Sequence, residues 1–511
     1  MGKKMIAWDL GTGGNKASLY NMDGTCIAEA FEPYETFFPR HGWHLQRPAD
    51  WWNAIVRSTN KLMKESGAAP GDIYCCGISG HSLGAVPLDR NNIPLLDEVP
   101  IWSDTRAGAQ AKAFFREFGR ERWYNITGNG VNPAQYPVFK AVWYRENIPE
   151  LYQKINKIIG TKDYINLRLT GRVATDHSYA SGSGAYDLRK WRFSKEILDA
   201  LGIHAELFPE VMGSMDVVGT VTKEAAEQLG VGKDMLVVCG GVDNSMMAIG
   251  AKGYKSGRAY ISLGSSCWVA LTADRPVLDT QGYPYVFTLL NDFYNSALCI
   301  AAGGTAYKWV RDHIAPDLLR QAKECGEDIY ELMQSEARKS PPGANRLIFN
   351  PCLGGGMPFD KSFYLRGGFL GLDFKHTRGD MIRAALEGIA YNLGVCVELI
   401  SKVASVPGEI LLVGGGSKNA LWRQILADCY NRKTVKTNVD EQAAALGAVA
   451  CAAVGTGLWN DFEQIDKLHK TESVCEPVRE NVEIYRQMFE IYKRSAEDLS
   501  DIGDALAQVK I

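Results

Sequence analysis

The chain has 511 residues, of which 46% are hydrophobic and 23% charged, an ordinary soluble composition that excludes a predominantly disordered protein. Only 12 of the residues are Cys, too sparse for a disulfide-built scaffold. Lys and Arg number 56 against 59 Asp and Glu, a net charge of -3, which gives no electrostatic reason for a nucleic-acid or anionic-membrane partner.

The chain opens on a predicted hairpin. Met5 to Trp8 is a short apolar run, Asp9 to Asn15 a polar glycine-rich turn and Lys16 to Tyr20 a second strand, followed by Asn21-Met22-Asp23-Gly24 and a third strand over Thr25 to Ala30. Trp51, Ile55 and Leu62 recur at helical spacing and predict a helix from Pro48 to Lys64. A strand over Ile73 to Ile78 then runs into Ser79-Gly80-His81-Ser82. The same strand-to-glycine-turn pattern returns three times. Met235 to Cys239 leads into Gly240-Gly241-Val242-Asp243-Asn244, Ala259 to Leu263 into Gly264-Ser265-Ser266, and Ile410 to Val413 into Gly414-Gly415-Gly416-Ser417. A helix carrying Leu421, Ile425 and Leu426 follows the last, with Ser417 as its expected N-cap. Ala443 to Leu458 carries no charge, but it is built mainly of Ala and Gly and falls short of the ~20 strongly apolar residues of a membrane span. A buried, closely packed helix is expected there. From about Val478 a polar helical pattern with Ile484, Met488 and Ile491 reads as a surface helix.

Alternating strands and helices argue for an α/β protein. The glycine turns fall into two sets, before and after about residue 245, so two lobes with a cleft between them are expected, residues 1–247 and 248–511. Adjacent Cys75 and Cys76 are joined by no CxxC pair elsewhere, so zinc ribbons and thioredoxin-like sites are not expected; free thiols in a cytoplasmic protein are.

The common catalytic motifs are missing. There is no Walker A loop, no HExxH and no nucleophile elbow. Gly11-Thr12-Gly13-Gly14-Asn15-Lys16 lacks the third glycine of a dinucleotide turn, and the chain returns as a strand instead of a helix. The positive signal is the set of glycine turns. Glycines let backbone N–H groups approach phosphate oxygens. Around the first turn, Thr12 and Asn15 add donors, Lys16 adds charge, and Asp9 is suited to hold Mg²⁺ through water. Gly264-Ser265 gives a second phosphate-type turn in the other half, and Gly415-Gly416 a strand-to-helix turn on which an adenine ring could lie. Together they make a clamp for a nucleotide. Asp243, following two glycines at a strand end, can serve as a base toward a hydroxyl group or as an N-cap for a helix beginning near Ser245. Trp8, Trp102 and Trp309 are each expected in the core.

From Met5 to about Gly457 the sequence resembles the FGGY carbohydrate kinases, members of the actin, chaperone and sugar-kinase ATPase superfamily. The resemblance rests on these turns, on Pro137-Val138-Phe139-Lys140-Ala141-Val142-Trp143, and on Gly371-Leu372 followed by Asp380-Met381-Ile382-Arg383-Ala384-Ala385-Leu386-Glu387. It implies two actin-like, ribonuclease-H-like lobes, a small-molecule sugar or polyol substrate, ATP and Mg²⁺, and a homodimer. It also implies roles: Asp9 near Mg²⁺; Gly11, Thr12, Gly13, Asn15, Lys16, Gly264, Ser265 and Gly304 at the phosphates; Gly415, Gly416 and Asn419 at adenosine; Asp243 as catalytic base. For the sugar it points to His81, Ser82, Leu83, Trp102, Asp104, Arg106, Asp243 and Asn244, with Asp104 and Arg106 able to pair with each other instead. Glycerol kinases place an Arg-Glu pair at the positions of Ser82 and Leu83, so glycerol is not the expected substrate. Xylulose kinases usually carry His at the position of Leu83, whereas here the nearby imidazole is His81. A ketopentose such as xylulose is expected, with ribulose, erythritol or another polyol as the alternative. An actin- or chaperone-like ATPase switch shares the nucleotide turns but has no use for Asp243.

Overall fold

The computed structural model describes residues 2–130 and 132–509. Strand β1 (Lys4–Gly11) pairs antiparallel with β2 (Gly14–Asn21), and β2 with β3 (Cys26–Pro33). The turn between the first two is Thr12-Gly13 alone, tighter than the expected Asp9–Asn15 segment. Leu10 and Asn15 are both buried, which carries the ladder up to Gly11 and Gly14. Next come β4 (Ile73–Gly80), β5 (Val217–Thr220), β6 (Leu236–Val238) and β7 (Gly241–Val242). These seven strands form one sheet in the order β5-β6-β4-β1-β2-β3, with β7 also on β4.

A second seven-stranded sheet is made of β8 (Ala259–Leu263), β9 (Cys267–Ala273), β10 (Tyr285–Leu289), β11 (Phe293–Ile300), β12 (Glu409–Val413), β13 (Lys433–Thr437) and β14 (Thr471–Cys475), in the order β10-β11-β9-β8-β12-β13-β14. The central six strands of each sheet repeat one pattern. A hairpin strand (β1 or β8) pairs parallel with the next inner strand (β4 or β12), that pairs parallel with β6 or β13, and an antiparallel strand closes the edge. The same scaffold is thus built twice in one chain.

The helices that position the site are α1 (Pro48–Ser66), α2 (Pro137–Asn147), α3 (Thr161–Thr170), α4 (Asp243–Gly250), α5 (Gly304–His313), α6 (Arg378–Val403), α7 (Ala420–Tyr430), α8 (Ala443–Gly455) and α9 (Arg479–Ala507). Side chains alternate along β1. Ile6, Trp8 and Leu10 pack with Trp51, Ile55 and Leu62 of α1, while Met5 and Ala7 face a core shared with α4, α8 and strands of the second sheet. Helix α8 is the buried small-residue helix expected from its composition. A Cβ on Gly447 would lie 1.9 Å from the Met246 carbonyl oxygen, and one on Gly250 would lie 1.8 Å from that of Ala443, so α4 and α8 touch backbone to backbone. Gly77 of β4 would likewise collide with the Ala448 oxygen at 2.1 Å. The two sheets therefore share one apolar seam, and small residues set how closely it closes.

In the second half the expected N-cap is corrected, and the surface helix at the end buries a different set of residues from the isoleucines of the pattern. Helix α7 is capped by Asn419, whose Oδ1 accepts from the Trp422 amide at 3.0 Å, because Gly415–Lys418 forms a separate 3-10 turn ahead of it and leaves Ser417 buried inside that turn. Helix α9 buries Tyr485, Met488 and Tyr492, while Ile484 and Ile491 remain 39% and 54% exposed. The tyrosines win the buried face because they carry both apolar area and a polar tip: the Tyr485 hydroxyl donates to Glu387 Oε1 of α6 at 2.8 Å. Among the described residues one helix, α6, is long and apolar enough to cross a membrane by length and composition, but 83% of its most apolar window is buried inside the protein. All 12 cysteines are free.

Candidate active site

Strand register brings the acidic residues together. Asp9 on β1 lies opposite Ser79 on β4, and Ser79 lies opposite Gly241 on β7. Asp243 is two residues beyond Gly241, just past the strand end, so it continues that row. The Ser79 hydroxyl donates to Asp9 Oδ1 at 2.7 Å. Burial, partly offset by this bond and by Lys16, holds the Asp9 carboxyl above its ordinary pKa. Burial, with repulsion from Asp9 added, pushes Asp243 up to about 7. Helix α4 begins at Asp243 itself, with Val242 as the cap residue, so the expected capping of a helix near Ser245 is not what this carboxylate does. Its Oδ1 accepts from the Asn244 amide at 2.8 Å, and the Asn244 carbonyl accepts from Asn295 Nδ2 at 3.3 Å.

The first turn divides its residues by parity. Lys16 pairs directly with Asp9 and shares its face. Asn15 pairs with Leu10 on the opposite face, where it is fully buried and its Nδ2 donates to Ser58 Oγ of α1 at 2.8 Å. The expectation that Asn15 meets phosphate is therefore corrected: strict alternation sends it into the core, and counting by twos from Asp9 would have shown this. Thr12 and Gly13 form the exposed tip beside half-buried Gly11. The Trp102 indole, 39% exposed, donates to Thr12 Oγ1 at 2.9 Å and stands over the turn. Trp8 is in the core as expected, bonded to Thr59 Oγ1 at 2.9 Å, while Trp102 and Trp309 are surface-accessible.

On the second sheet, Ser262 of β8 occupies the place that Asp9 holds on β1, so the duplicated scaffold carries its acid in one lobe only. The turn Gly264-Ser265-Ser266, exposed only at Ser265, is locked to the start of α5. Gly304 N–H donates to the Gly264 oxygen at 2.9 Å, and Thr305 N–H to the Ser265 oxygen at 3.0 Å. A Cβ on Gly304 would lie 2.5 Å from the Gly264 oxygen. Replacing Gly304 by Ala should therefore push the turn outward and raise the KM for ATP about tenfold with the sugar KM unchanged, as measured by initial rates with each substrate varied in turn. Gly415 is exposed and half-buried Gly416 packs under the Trp422 ring; the Asn419 side-chain Nδ2 is buried without a partner. A bare-backbone floor with an orphaned donor at its edge fits an adenosine.

The residues expected around the sugar divide. His81 is buried, its ring 5.6 Å edge-on from Trp51 and a ring nitrogen 3.1 Å from Thr161 Oγ1; burial lowers its pKa to about 4, so it is neutral. Asp104 and Arg106 pair with each other at 2.8 and 2.9 Å, and the guanidinium sits 3.8 Å over Trp43. Pairing with each other is the second of the two roles read from the sequence. Ser82 is buried, and Leu83 is buried with φ 60. Lys140 of α2 lies beneath and donates to the Leu83 and Ile101 carbonyls at 2.8 and 2.7 Å, tying the His81–Leu83 loop to the loop that carries Trp102. Ser79 and Lys140 were not singled out from the sequence; Ser79 could have been, as the partner of Asp9 across a parallel pair.

Two duplicated α/β lobes, a glycine turn on the first hairpin of each lobe and a pair of carboxylates on adjoining strands define a phosphotransferase of the actin-like, ribonuclease-H-like class with a central cleft. Residues 4–250 match the model of the FGGY family of carbohydrate kinases, N-terminal domain, and residues 259–456 match that of the C-terminal domain. The chain belongs to the FGGY family of carbohydrate kinases, and it is a sugar kinase that uses ATP. It is 30% identical over 507 residues to the xylulose kinase of Bacillus subtilis strain 168, covering 99% of both chains. Among solved structures it is similar to the ligand-bound xylulose kinase of Lactobacillus acidophilus, with TM-score 0.89, 25% identity and 99% of each chain covered. It is equally similar to the gluconate kinase of the same organism, with TM-score 0.89, 25% identity and 98% of each chain covered.

Proposed function

We propose that this kinase phosphorylates a terminal hydroxyl of a neutral ketose or polyol, a ketopentose such as xylulose foremost, with Asp243 as general base. Ribulose, erythritol or another polyol is the alternative. One observation carries the reading: a half-buried carboxylate poised near neutrality stands at the end of the strand row that begins with Asp9. A sugar hydroxyl is a poor nucleophile. Deprotonated Asp243 takes its proton as the oxygen bonds to the γ-phosphorus, and the bond to the β-phosphate oxygen breaks to release ADP. Thr12, Gly13 and Lys16 on one side and Gly264, Ser265 and Gly304 on the other supply donors and charge around the phosphates. The lobe of residues 1–247 binds sugar and phosphate, and that of residues 248–511 binds the nucleoside.

Asp9 suits Mg²⁺. It is a half-buried carboxylate with one oxygen committed to Ser79, and it raises the pKa of a neighbouring acid, a strain that a cation would relieve. When bound, Mg²⁺ neutralises charge on the transferring phosphoryl group. The twelve free thiols suit a cytoplasmic enzyme.

A neutral substrate is supported by where two cations near the His81–Leu83 loop are spent. Arg106 is taken by Asp104 and stacked on Trp43, and the Lys140 ammonium points at two carbonyls. Neither is free to receive a carboxylate. A coupled ADP-release screen over pentuloses, hexuloses, polyols and gluconate should give its highest kcat/KM on a neutral ketose or polyol. A preference for gluconate would reject the substrate class, and ATP consumption independent of every sugar would reject the kinase reading.

A further inference from the structure

Behind the turn that delivers Asp243 lies a charged network with no counterpart in the chemistry described so far. Lys162 of α3 is fully buried, with its Nζ 2.6 Å from Asp163 Oδ1 and 3.0 Å from Asp176 Oδ1. Both carboxylates are fully buried as well. Three such charges in an apolar interior are costly, and a well-packed apolar trio would do as well for stability. Their hydrogen bonds show what else they do. Asp176 Oδ2 accepts from the hydroxyls of Ser178 at 2.5 Å and Ser214 at 2.8 Å. The Ser178 hydroxyl proton is thereby committed to Asp176, so its lone pairs are left for the Val242 amide, which donates to Ser178 Oγ at 2.9 Å. Val242 immediately precedes Asp243.

The remaining backbone of this turn is held from the same side. Asn166 Nδ2, one turn along α3 from Lys162, donates to the Cys239 oxygen at 2.8 Å, and the Gly240 amide donates to the Ser214 oxygen at 3.0 Å. Gly240 adopts φ 67, and a Cβ there would lie 2.1 Å from the Ile78 oxygen; one on Gly241 would lie 2.9 Å from Ser178 Oγ. The turn has no slack against β4 on one side or Ser178 on the other.

We propose that Lys162, Asp176 and Ser178 are positioning residues for phosphoryl transfer: the buried ion pair orients the Ser178 hydroxyl, and Ser178 anchors the Val242 amide so that the Asp243 carboxylate is held at its working place. This rests on the assignment of Asp243 as base. A displacement of about 1 Å at a reacting group can cost 10²-fold in rate, which is the scale such an anchor controls.

The test compares Ser178→Ala, Asp176→Asn and Asp243→Asn in steady-state kinetics with ATP and the best sugar from the screen, alongside thermal melting. Asp176→Asn keeps the volume of the side chain but removes the charge that orients the serine. The expected result is a fall in kcat of about 10- to 100-fold in Ser178→Ala and Asp176→Asn, with KM for ATP within twofold of the parent. A kcat within threefold of the parent in both variants overturns the proposal. So does a fall in kcat matched by an equal rise in KM for ATP, which would mark general damage to the cleft. Asp243→Asn separates the two readings. If it is inactive while Ser178→Ala turns over normally, only the positioning role fails; if it turns over normally, the base assignment fails.

Discussion

Replacing Asp243 by Asn should lower kcat by about 10²- to 10⁴-fold, the range a general base contributes, and leave ATP affinity close to that of the parent enzyme. Isothermal titration with a non-hydrolysable ATP analogue, beside coupled ADP release, measures both. Near-normal turnover would reject the role. The same substitution should also stabilise the protein above neutral pH. Burial lifts the folded-state pKa of Asp243 from its ordinary 3.8 to about 7, so between those values the folded state binds more protons than the unfolded one. Stability contributed by this group is therefore full below 3.8 and is lost as pH rises through about 7. Removing the charge removes that burden, so Asp243→Asn should melt higher than the parent at pH 8. A variant that is both inactive and more stable is the pattern of a strained catalytic base, and is hard to produce by damage to the fold.

Catalysis has the opposite sign. Only the deprotonated form accepts a proton, so kcat/KM should fall about tenfold per pH unit below about 7 and level off above it. Residual activity of Asp243→Asn should show no such limb.

Lys162→Met should cost about 3–5 kcal/mol of folding stability, because it strands Asp163 and Asp176 without their cation inside a dry interior. Chemical denaturation monitored by circular dichroism gives the loss as a lowered midpoint. A shift below about 1 kcal/mol would mean that the carboxylates simply take up protons. Asp163 retains the Gly160 amide at 2.9 Å and the Thr175 hydroxyl at 2.8 Å, and Asp176 retains both serines, so local hydrogen bonding survives and the loss isolates the ammonium.

Much of the site could be read from the chain because it sits where strands stop. An apolar run ending in glycine marks where a strand nears its end, and an acid there lies beside the turn. Asp9, Gly11, Gly264 and Asp243 stand out as candidates for that reason, whereas Gly304 came from the family resemblance alone. Asn15 was misread because its residue type suits a phosphate contact, yet the two-residue period of β2 places it opposite Leu10, in the core. His81 and Leu83 show a different limit. Whether an imidazole faces a substrate or a threonine depends on what α3 packs against it, and no local pattern encodes that Thr161 stands 3.1 Å away.

By itself the sequence determined the class of fold, the duplicated turn chemistry, the family and the residue proposed as base, since each depends on residue type, chain period and backbone freedom over a few positions. Tertiary structure alone decided which of the candidate groups meet. The closeness of α4 to α8, the spending of Arg106 on Asp104, and the buried lysine behind the Asp243 turn arise between segments tens to hundreds of residues apart. Such contacts are set by the packing of whole elements, and packing has no signature in a local stretch of chain.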